Sequence, residues 1–339
     1  MQRKFFFLAF AALIAFSCGS EQRQFLYLDG FTQGTSYHIA YNSPDSTDYH
    51  EELREIFRDI DYSMSIYNPS SIISAVNRNE HGVDADDYFI AVFNRAREIS
   101  EKTGGAFDIT VGPLVNAWGF GFSERENITP RLVDSLLQLI GWEQVRLEGR
   151  SVIKDQPGIM LDMNAIAKGY TVDVVADFFD SRGVTDYMIE IGGEIRLKGR
   201  NRNNQLWRIG IDKPVDDPVA ISRELQEIVH LTGRALATSG NYRKFYVMDG
   251  QKYAHTIDPA TGYPVQHTLL SATVVASTAM DADAWATAFM VLGLEKGMEL
   301  ARSAPDLEAY FVYDLEGFPA VAYTEGFREM ISGQATANR

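Results

Sequence analysis

Helical and strand-like patterns follow one another along this chain without the regular β-α-β alternation that builds a parallel sheet. Apolar residues recur at helical spacing over residues 48–61, 87–102, 130–140, 163–182 and 281–301. Strand patterns lie within 25–41 and at 186–198, 207–212, 224–231, 244–257, 269–276, 308–314 and 319–324, between turns rich in Gly, Pro and Asn. This mixed order favours an α+β fold over a doubly wound parallel sheet.

The hydrophobic core has to stabilise this fold, because Cys18 is the only cysteine among 339 residues and no disulfide can form. Hydrophobic residues make up 45% of the chain, which suffices for a sizeable core. We find no internal repeat, low-complexity segment or linker. The sequence therefore predicts one compact domain over residues 25–330.

The N-terminus has the parts of an export signal. Arg3 and Lys4 precede twelve apolar residues, 5–16, which are too few to span a bilayer as a helix. Cys18 follows this run, at the point where bacterial lipoproteins are cleaved and acylated. The pattern predicts a lipoprotein signal peptide over 1–18 with lipidation at Cys18, a tether over 19–24, and anchoring at the periplasmic face of the inner membrane. The alternative is an ordinary signal peptide with an incidental cysteine.

The charge balance argues against nucleic-acid binding. The chain has 31 basic and 46 acidic residues, for a formal net charge of -15. Such a surface repels phosphate backbones, and the basic residues form no patch that would override it. The sequence also lacks the Walker A and GxGxxG patterns of two common nucleotide-binding folds.

Five segments are denser in Gly, Asp and small residues than turns alone require. They are residues 104–113, 161–170, 189–194, 237–244 together with 254–264, and 279–288. In the first, the glycines allow close backbone approach to a ligand and Asp108 can accept hydrogen bonds; the alternative is a helix C-cap and turn. In the second, Asp162 precedes a helix whose exposed amides can receive an anion, and Lys168 could reach a phosphate; the alternative is an Asp N-cap with a solvated lysine.

The other three segments have similar alternatives. The glycine turn at 192–193 either contacts a ligand or only turns the chain, and His255 is either a general base or a histidine without a chemical role. Asp283 and Thr287 lie four residues apart on one helix face, and with a nearby carbonyl they suit Mg2+ or Ca2+ rather than zinc. The alternative is that Asp281 caps the helix and Asp283 interacts with its dipole. Together the segments suit metal-assisted phosphoryl chemistry on a nucleotide.

In this order, the segments resemble the ApbE family of FAD:protein FMN transferases, from about residue 33 to residue 287. The most specific matches are Gly-Ala-Phe-Asp at 105–108, residues 162–169, His-Thr-Ile-Asp-Pro-Ala-Thr-Gly at 255–262, and residues 281–287. The resemblance implies an α+β fold in which two similar subdomains pack around a central FAD cleft. It also implies FAD as a substrate and Mg2+ or Ca2+ as a cofactor.

The resemblance further implies roles for individual residues. The residues implied to contact FAD are Gln33, Tyr67, Ala106, Phe107, Asp108, Asp162, Lys168 and Ile257. The implied cation ligands are the carbonyl oxygens of Ala165 and Ala286 and the side chains of Asp283 and Thr287. His255 and Asp283 are the implied catalytic residues, with His255 activating the acceptor hydroxyl. Because a metal-bound carbonyl would have to be free of helical hydrogen bonding, we predict irregular backbone at Ala165 and Ala286.

The implied reaction moves FMN from FAD to a Ser or Thr hydroxyl of a partner flavoprotein subunit and releases AMP. The implied acceptors are subunits of membrane redox complexes, the Na+-translocating NADH:quinone reductase or the Rnf type, carrying a short Ser/Thr-Gly-Ala-Thr-like motif. Two alternatives stay open. One is an FAD pyrophosphatase that releases FMN and AMP, and the other is a flavin-binding lipoprotein without catalysis.

Overall fold

The structure, a computed structural model, describes residues 24–122, 125–214, 224–241, 245–248 and 251–331. Cys18, the predicted signal peptide and all of the predicted tether except Gln24 lie outside these residues. Within this part of the chain, no helix combines the length and the apolar character needed to cross a membrane.

The described residues form eight α-helices, one short 3-10 helix (Trp142–Gln144) and fourteen β-strands. The helices are α1 (His50–Met64), α2 (Ile72–Asn77), α3 (Asp87–Thr103), α4 (Gly112–Ala117), α5 (Pro130–Leu137), α6 (Ala167–Ser181), α7 (Ala279–Ser303) and α8 (Glu325–Ile331). The strands are β1 (Phe25–Thr32), β2 (Thr35–Asn42), β3 (Val145–Glu148), β4 (Ser151–Lys154), β5 (Tyr187–Ile191), β6 (Glu194–Lys198), β7 (Trp207–Asp212), β8 (Leu225–Leu231), β9 (Ala235–Gly240), β10 (Phe245–Met248), β11 (Gln251–Ala254), β12 (Leu269–Ala276), β13 (Glu308–Leu315) and β14 (Phe318–Tyr323).

Eight of the strands form one antiparallel sheet in the order β1-β2-β5-β6-β9-β12-β13-β14. The β1–β2 hairpin turns through Gln33 and Gly34, whose φ angles are 49° and 73°. Two successive positive φ angles are the geometry of a two-residue hairpin turn that matches the twist of the strands. The β5–β6 hairpin turns in the same way through Gly192 and Gly193, with φ of 63° and 103°. The pairs β3–β4, β7–β8 and β10–β11 form separate two-stranded sheets.

The two faces of the main sheet are covered by different elements. Alternate residues of β2 show this, since Tyr37, Ile39 and Tyr41 belong to a core with α1 and α6, whereas Ala40 belongs to a core with β7, β8 and α8. The largest core lies between β9, β12 and β13 of the sheet and helices α3 and α7. Helices α6 and α7 therefore pack on the same face of the sheet. They contain four of the predicted site residues, Lys168 in α6 and Asp283, Ala286 and Thr287 in α7.

Charged side chains set how α6 lies across the sheet. On β6, Ile195 and Leu197 are buried on the face towards β7 and β8. Three charged residues alternate with them and form ion pairs with α6; these pairs are Glu194–Lys168, Arg196–Asp173 and Lys198–Asp180. The residue numbers of the partners increase together along β6 and along α6. The three ion pairs therefore fix the register of α6 on β6.

Each predicted helix or strand region contains an element of the predicted type, so the predicted α+β character is confirmed. The predicted strands 186–198 and 244–257 are each two paired strands, and residues 244, 249 and 250 lie outside the described residues. The elements that the sequence did not reveal are α2, α4, α8, β3, β4 and β9. Most of them are too short to establish a periodic apolar pattern. Strand β9, with the sequence Ala-Leu-Ala-Thr-Ser-Gly, has few residues of high strand propensity and is extended because β6 and β12 pair with its two edges.

Candidate active site

Helices α6 and α7 cross at Gly169 so closely that no side chain fits between them. A Cβ atom at Gly169 would lie 2.2 Å from the carbonyl oxygen of Ala279 and 2.9 Å from Cβ of Asp283. At this crossing the backbone N–H of Gly169 donates a hydrogen bond of 3.1 Å to Oδ2 of Asp283. The crossing therefore brings two of the four most specific predicted motifs, 162–169 and 281–287, into direct contact.

The carbonyl oxygen of Ala165 lies outside the helical hydrogen-bond pattern. In a continuous helix the N–H of Gly169 would donate to this carbonyl, four residues earlier. Here it donates to Asp283, and α6 begins only at Ala167, after Ile166 with φ of −149° and ψ of −26°. The predicted irregular backbone at Ala165 is confirmed, and the predicted helix start at residue 163 is four residues too early for the same reason.

The corresponding prediction for Ala286 is wrong. Ala286 is buried inside α7, which departs from helical φ and ψ at Gly293, seven residues later. The helix stays regular at Ala286 because the first three turns of α7 pack directly on the sheet and on α6. A carbonyl oxygen has two lone pairs, so a helical hydrogen bond leaves one available. Ligation by Ala286 stays a prediction, without the irregular backbone.

Asp283 and Thr287 lie one helical turn apart, and both side chains contact the interior of the protein. Asp283 is 3% exposed and reaches α6. Oγ1 of Thr287 lies 3.2 Å from Oγ of Ser239 in β9. A threonine hydroxyl that donates to Ser239 keeps its own oxygen lone pairs for a cation.

The start of α7 is capped by residues other than the predicted one. Oγ1 of Thr278 accepts a hydrogen bond of 3.2 Å from the N–H of Asp281, so Thr278 is the N-cap and the alternative that Asp281 caps the helix is wrong. Asp281 instead pairs with Arg95 of α3. Asp173 of α6 accepts hydrogen bonds from the N–H groups of Ala279 (2.9 Å) and Met280 (2.8 Å). These contacts hold the first turn of α7, and with it Asp283, against α6 and α3.

Two buried carboxylates and a partly buried lysine meet beside the crossing. Nζ of Lys168 lies 3.0 Å from Oε1 of Glu194 and 3.8 Å from Oδ2 of Asp283. Burial raises the pKa of Asp283, against the lowering effects of the Lys168 ammonium and the Gly169 N–H. Burial likewise raises the pKa of Glu194 to about 8, although Lys168 acts against it. Burial lowers the pKa of Lys168, but the two carboxylates outweigh it and the pKa is raised overall, so Lys168 stays protonated.

This cluster fits a hard divalent cation. Two carboxylates face one ammonium, so the buried group has one excess negative charge when both carboxyls are ionised. Oε2 of Glu194 is buried and has no hydrogen-bond partner among the described residues. A carboxylate, a hydroxyl and carbonyl oxygens are the ligands that Mg2+ and Ca2+ prefer. In the described residues, no three His, Cys, Asp or Glu side chains gather as a metal site of their own.

Asp162 and Tyr67 meet on the other side of the turn that precedes α6. Oδ1 of Asp162 accepts a hydrogen bond of 2.9 Å from the N–H of Asn164, and its own N–H donates to the carbonyl of Ile109. Asp162 therefore shapes the turn and is not the helix N-cap. Burial raises the pKa of Asp162, and partial burial followed by the charge of Asp162 raises the pKa of Tyr67. The ring of Tyr67 is 61% exposed, which leaves it open to a ligand.

Gln33 lies against the same end of α6. Its Nε2 donates a hydrogen bond of 2.7 Å to Oγ1 of Thr171, and its Oε1 is buried without a hydrogen-bond partner among the described residues. An unpaired buried acceptor is costly unless a ligand or water supplies a donor. The structure thus brings Gln33 to the helix of Lys168, and contact of Gln33 with the flavin stays a prediction.

The segment 106–108 has a largely structural environment. Both carboxylate oxygens of Asp108 accept hydrogen bonds within the protein: Oδ1 from the N–H and hydroxyl of Thr110, and Oδ2 from the N–H of Trp142. Phe107 is 2% exposed and belongs to the large core. Ala106 is half-buried in the turn before Phe107. Contact of the Asp108 side chain with FAD stays a prediction, and its described contacts hold the loop.

His255 directly follows β11, and its chain neighbour Thr256 bonds to the residue after β9, the strand that contacts the predicted cation ligand Thr287. Its ring packs edge-to-face on Phe120 with 6.4 Å between centroids. The hydroxyl of the next residue, Thr256, donates 2.7 Å to Oδ1 of Asn241, which directly follows β9. Strand β9 also contains Ser239, the partner of Thr287. Ile257 is buried and packs with Leu114 and Trp118, beneath the turn that continues to Pro264.

A cleft of about 680 Å³ opens between β1 and α1. It is lined by polar and aromatic side chains, among them Tyr37, His50, Arg54 and Asn68. The cleft includes Thr32 and Asn68, the chain neighbours of Gln33 and Tyr67, but none of the predicted site residues themselves. The candidate site at the α6–α7 crossing is therefore separate from this cleft, whose lining includes only chain neighbours of Gln33 and Tyr67.

The sequence profile of the ApbE family matches residues 33–311. This chain belongs to the ApbE family. It is similar to the FAD:protein FMN transferase of Vibrio cholerae, with 37% identity over 333 residues that cover 96% of this chain and 98% of the relative. The FAD:protein FMN transferase of Haemophilus influenzae is 35% identical over 308 residues, or 87% of this chain and 88% of the relative.

Solved structures of ApbE proteins have the same fold. The flavin transferase ApbE from Vibrio cholerae superimposes with a TM-score of 0.82 at 36% identity, over 91% of this chain and 99% of that chain. The apo form of the Pseudomonas stutzeri flavinyl transferase ApbE gives a TM-score of 0.81 at 32% identity, over 93% and 98% of the two chains. The predicted ApbE-like α+β fold is thereby confirmed.

Two residues of this ApbE site were missed by reasoning from the sequence. Gly169 was included in a motif, but nothing in the sequence indicated that α7 would approach it within contact distance. Glu194 belongs to the segment 189–194, whose glycine turn attracted notice while the acidic residue after it did not. An acidic residue directly after a Gly-Gly turn, on a strand with alternating apolar residues, was the available signal.

Proposed function

We propose that this protein is an FAD:protein FMN transferase, which attaches FMN to a Ser or Thr hydroxyl of a partner flavoprotein and releases AMP. Its membership of the ApbE family and the names of its relatives support this activity. The structural observation that carries it is the Gly169–Asp283 hydrogen bond, which leaves the Ala165 carbonyl beside a buried carboxylate at the start of a helix. Such an arrangement of oxygen atoms and helical amides suits a pyrophosphate and its cation.

Lys168 provides the fixed positive charge of the proposed site. It stays protonated, because Asp283 and Glu194 raise its pKa. The ammonium can therefore neutralise a phosphate oxygen of FAD without first taking up a proton. Tyr67 and Gln33 would hold the flavin end of the substrate, Tyr67 through its exposed ring and Gln33 through its unpaired oxygen.

The proposed ligands of Mg2+ or Ca2+ are Asp283, Thr287 and the carbonyl oxygens of Ala165 and Ala286. A bound cation would neutralise charge on the pyrophosphate and on the leaving AMP. Asp283 supplies the negative charge of this set, and the Gly169 N–H fixes one of its two oxygens in place.

His255 is the proposed general base. It takes the proton from the acceptor hydroxyl, whose oxygen forms a bond to the phosphorus of FMN while the bond from that phosphorus to AMP breaks. The products are the phosphoester of FMN with the acceptor, and AMP; the proton leaves through His255 to solvent or to AMP. Imidazole suits this role because its ordinary pKa lies near neutral pH.

The proposed location follows from the N-terminal sequence. We propose that Cys18 is acylated and holds the protein at the periplasmic face of the inner membrane, where subunits of Na+-translocating NADH:quinone reductase or Rnf-type complexes would be its acceptors. Replacing Cys18 by Ala should move the protein from the membrane fraction to the soluble fraction after export. A C18A variant that stays in the membrane fraction would contradict lipidation.

The activity is tested by incubating the full protein with FAD, Mg2+ and a peptide with the acceptor motif, and then measuring the mass of the peptide. We expect the peptide to gain one FMN phosphoester. The H255A variant should lose at least about a hundredfold in rate, the lower range for a general base, whereas H81A, at an exposed histidine, should keep the wild-type rate. Free FMN with an unmodified peptide would identify a pyrophosphatase, and intact bound FAD would identify a binding protein.

A further inference from the structure

Glu194 is the most buried charged group at the site that the proposed reaction does not use. It is 5% exposed and begins β6, directly after the Gly192–Gly193 turn. Oε1 of Glu190 accepts a hydrogen bond of 2.6 Å from the N–H of Gly193, which holds this turn in place. Oε1 of Glu194 accepts from Lys168, and its Oε2 is buried without a hydrogen-bond partner among the described residues. The Gly192–Gly193 turn thus positions the buried carboxylate of Glu194 beside Lys168.

The distances around Lys168 are unequal. Nζ lies at hydrogen-bond distance, 3.0 Å, from Glu194, but at 3.8 Å from Oδ2 of Asp283, beyond a hydrogen bond. Oδ2 of Asp283 accepts the Gly169 N–H instead. Lys168 therefore forms its hydrogen bond with Glu194 and not with Asp283, although the Asp283 carboxylate lies within ion-pair distance.

We propose that Glu194 is a positioning residue, which holds the Lys168 ammonium away from Asp283 and so keeps the Asp283 carboxylate available to a divalent cation. The proposal rests on the cation site of the proposed function. It assigns Glu194 no contact with the reacting atoms.

The other ion pairs on the same face of β6 show why this pair is special. Arg196 and Lys198 place cations on β6 and pair with the carboxylates of Asp173 and Asp180 on α6. Of these three ion pairs, Glu194–Lys168 alone has the carboxylate on the strand and the cation on the helix. A pair in the usual order would leave Lys168 without a partner other than Asp283. In that case Lys168 and a divalent cation would compete for one carboxylate.

The experiment measures Mg2+ binding to the full protein by calorimetry, without FAD and without turnover. Four proteins are compared, namely wild type, E194Q, K168M and the double variant. We expect E194Q to weaken Mg2+ binding about tenfold when Lys168 is present, because the freed ammonium moves onto Asp283. In the K168M background the same change should alter the affinity less than about threefold.

Comparison of the two backgrounds separates positioning from simple charge. If Glu194 acted only through its own negative charge, E194Q would weaken Mg2+ binding by the same factor with or without Lys168, and that result would overturn the proposal. An unchanged affinity of E194Q would overturn it as well. The D180N variant, which removes a carboxylate from the same β6–α6 contact away from Asp283, should bind Mg2+ as wild type does.

Failure of the proposed function would look different. If the wild-type protein bound no Mg2+ saturably and its activity did not depend on Mg2+, the cation site itself would be refuted, and the role of Glu194 with it. A different result is that wild type binds Mg2+, but E194Q changes the Mg2+ affinity by the same factor with Lys168 and with K168M. The transferase proposal would then stand and the inference about Glu194 would fall. Circular dichroism and the unfolding temperature of each variant without Mg2+ establish that all four proteins are folded.

Discussion

The backbone N–H of Gly169 donates a hydrogen bond to Oδ2 of Asp283, joining residues 114 positions apart in the sequence. In a regular helix this N–H would donate to the carbonyl of Ala165. Here it donates to a carboxylate on another helix. The change starts α6 late, keeps the Ala165 carbonyl out of the helix and fixes one oxygen of Asp283. A single contact between α6 and α7 therefore creates the oxygen-rich site that the proposed chemistry needs.

Replacing Gly169 by Ala should break this contact. The new Cβ would lie 2.2 Å from the Ala279 carbonyl, a backbone atom that cannot move away by rotation. We expect G169A to lower the free energy of unfolding by about 1–3 kcal/mol or more, as overpacked cores do, and to weaken Mg2+ binding. Urea unfolding and calorimetry measure the two effects. The control is G297A in α7, where the nearest atoms are ring carbons of Phe311 at 3.3 Å and 3.4 Å. Equal losses in both variants would contradict the close crossing.

Replacing Asp283 by Asn should separate activity from stability. Asn keeps an oxygen for the Gly169 N–H but removes a negative charge whose burial raises the pKa of Asp283. The remaining Lys168–Glu194 pair is electrically balanced when Glu194 is ionised. We expect turnover to fall at least about a hundredfold, since a cation supplies several kcal/mol of charge stabilisation, while the unfolding temperature does not fall and some FAD binding remains. D283A, which also loses the contact with Gly169, should be less stable, and unchanged turnover in either variant would refute the cation assignment.

The stability of the metal-free protein should decrease between about pH 4.5 and pH 8. Burial raises the pKa of Glu194 from 4.5 to about 8 in the folded protein. A carboxyl with a raised pKa binds a proton on folding, so its contribution to stability is complete below 4.5 and is lost as the pH rises through about 8. The slope from one such group is at most about 1.4 kcal/mol per pH unit. Urea unfolding in EDTA should show a smaller slope for E194Q than for wild type; identical slopes would exclude Glu194 as the source.

Replacing Asp108 by Ala tests whether this residue holds the loop or the flavin. The change would leave the N–H groups of Thr110 and Trp142 without their acceptor in a buried region. We expect a loss of about 2–6 kcal/mol in unfolding free energy, since each of the two unpaired donors costs about 1–3 kcal/mol. D155A, which removes an exposed partner of Arg146, should cost no more than about 1 kcal/mol. Unchanged stability of D108A together with a raised KM for FAD would instead support direct flavin contact.

Periodic patterns were sufficient to predict the long elements of this fold. Helices α1, α3, α5 and α7 and the strands of the main sheet other than β9 follow from apolar spacing and from the turn residues between them. Short elements and strand β9 did not follow, because their residues have weak preferences and neighbouring strands impose their conformation. In the same way, the sequence placed Asp283 and Thr287 on one helix face but could not reveal their contacts with Gly169 and Ser239.

What the sequence determined by itself is which groups are present and which share an element, since helix and strand periodicity are local properties of the chain. It thus supplied the motifs, the predicted oxygen ligands and the family. Only the tertiary structure decided that Gly169 would meet Asp283 and that Glu194 would reach Lys168, because these contacts depend on how helices and strands pack across many intervening residues. That packing determines which groups surround a buried charge. The surrounding groups in turn determine the pKa of the charged group and whether a ligand can bind to it.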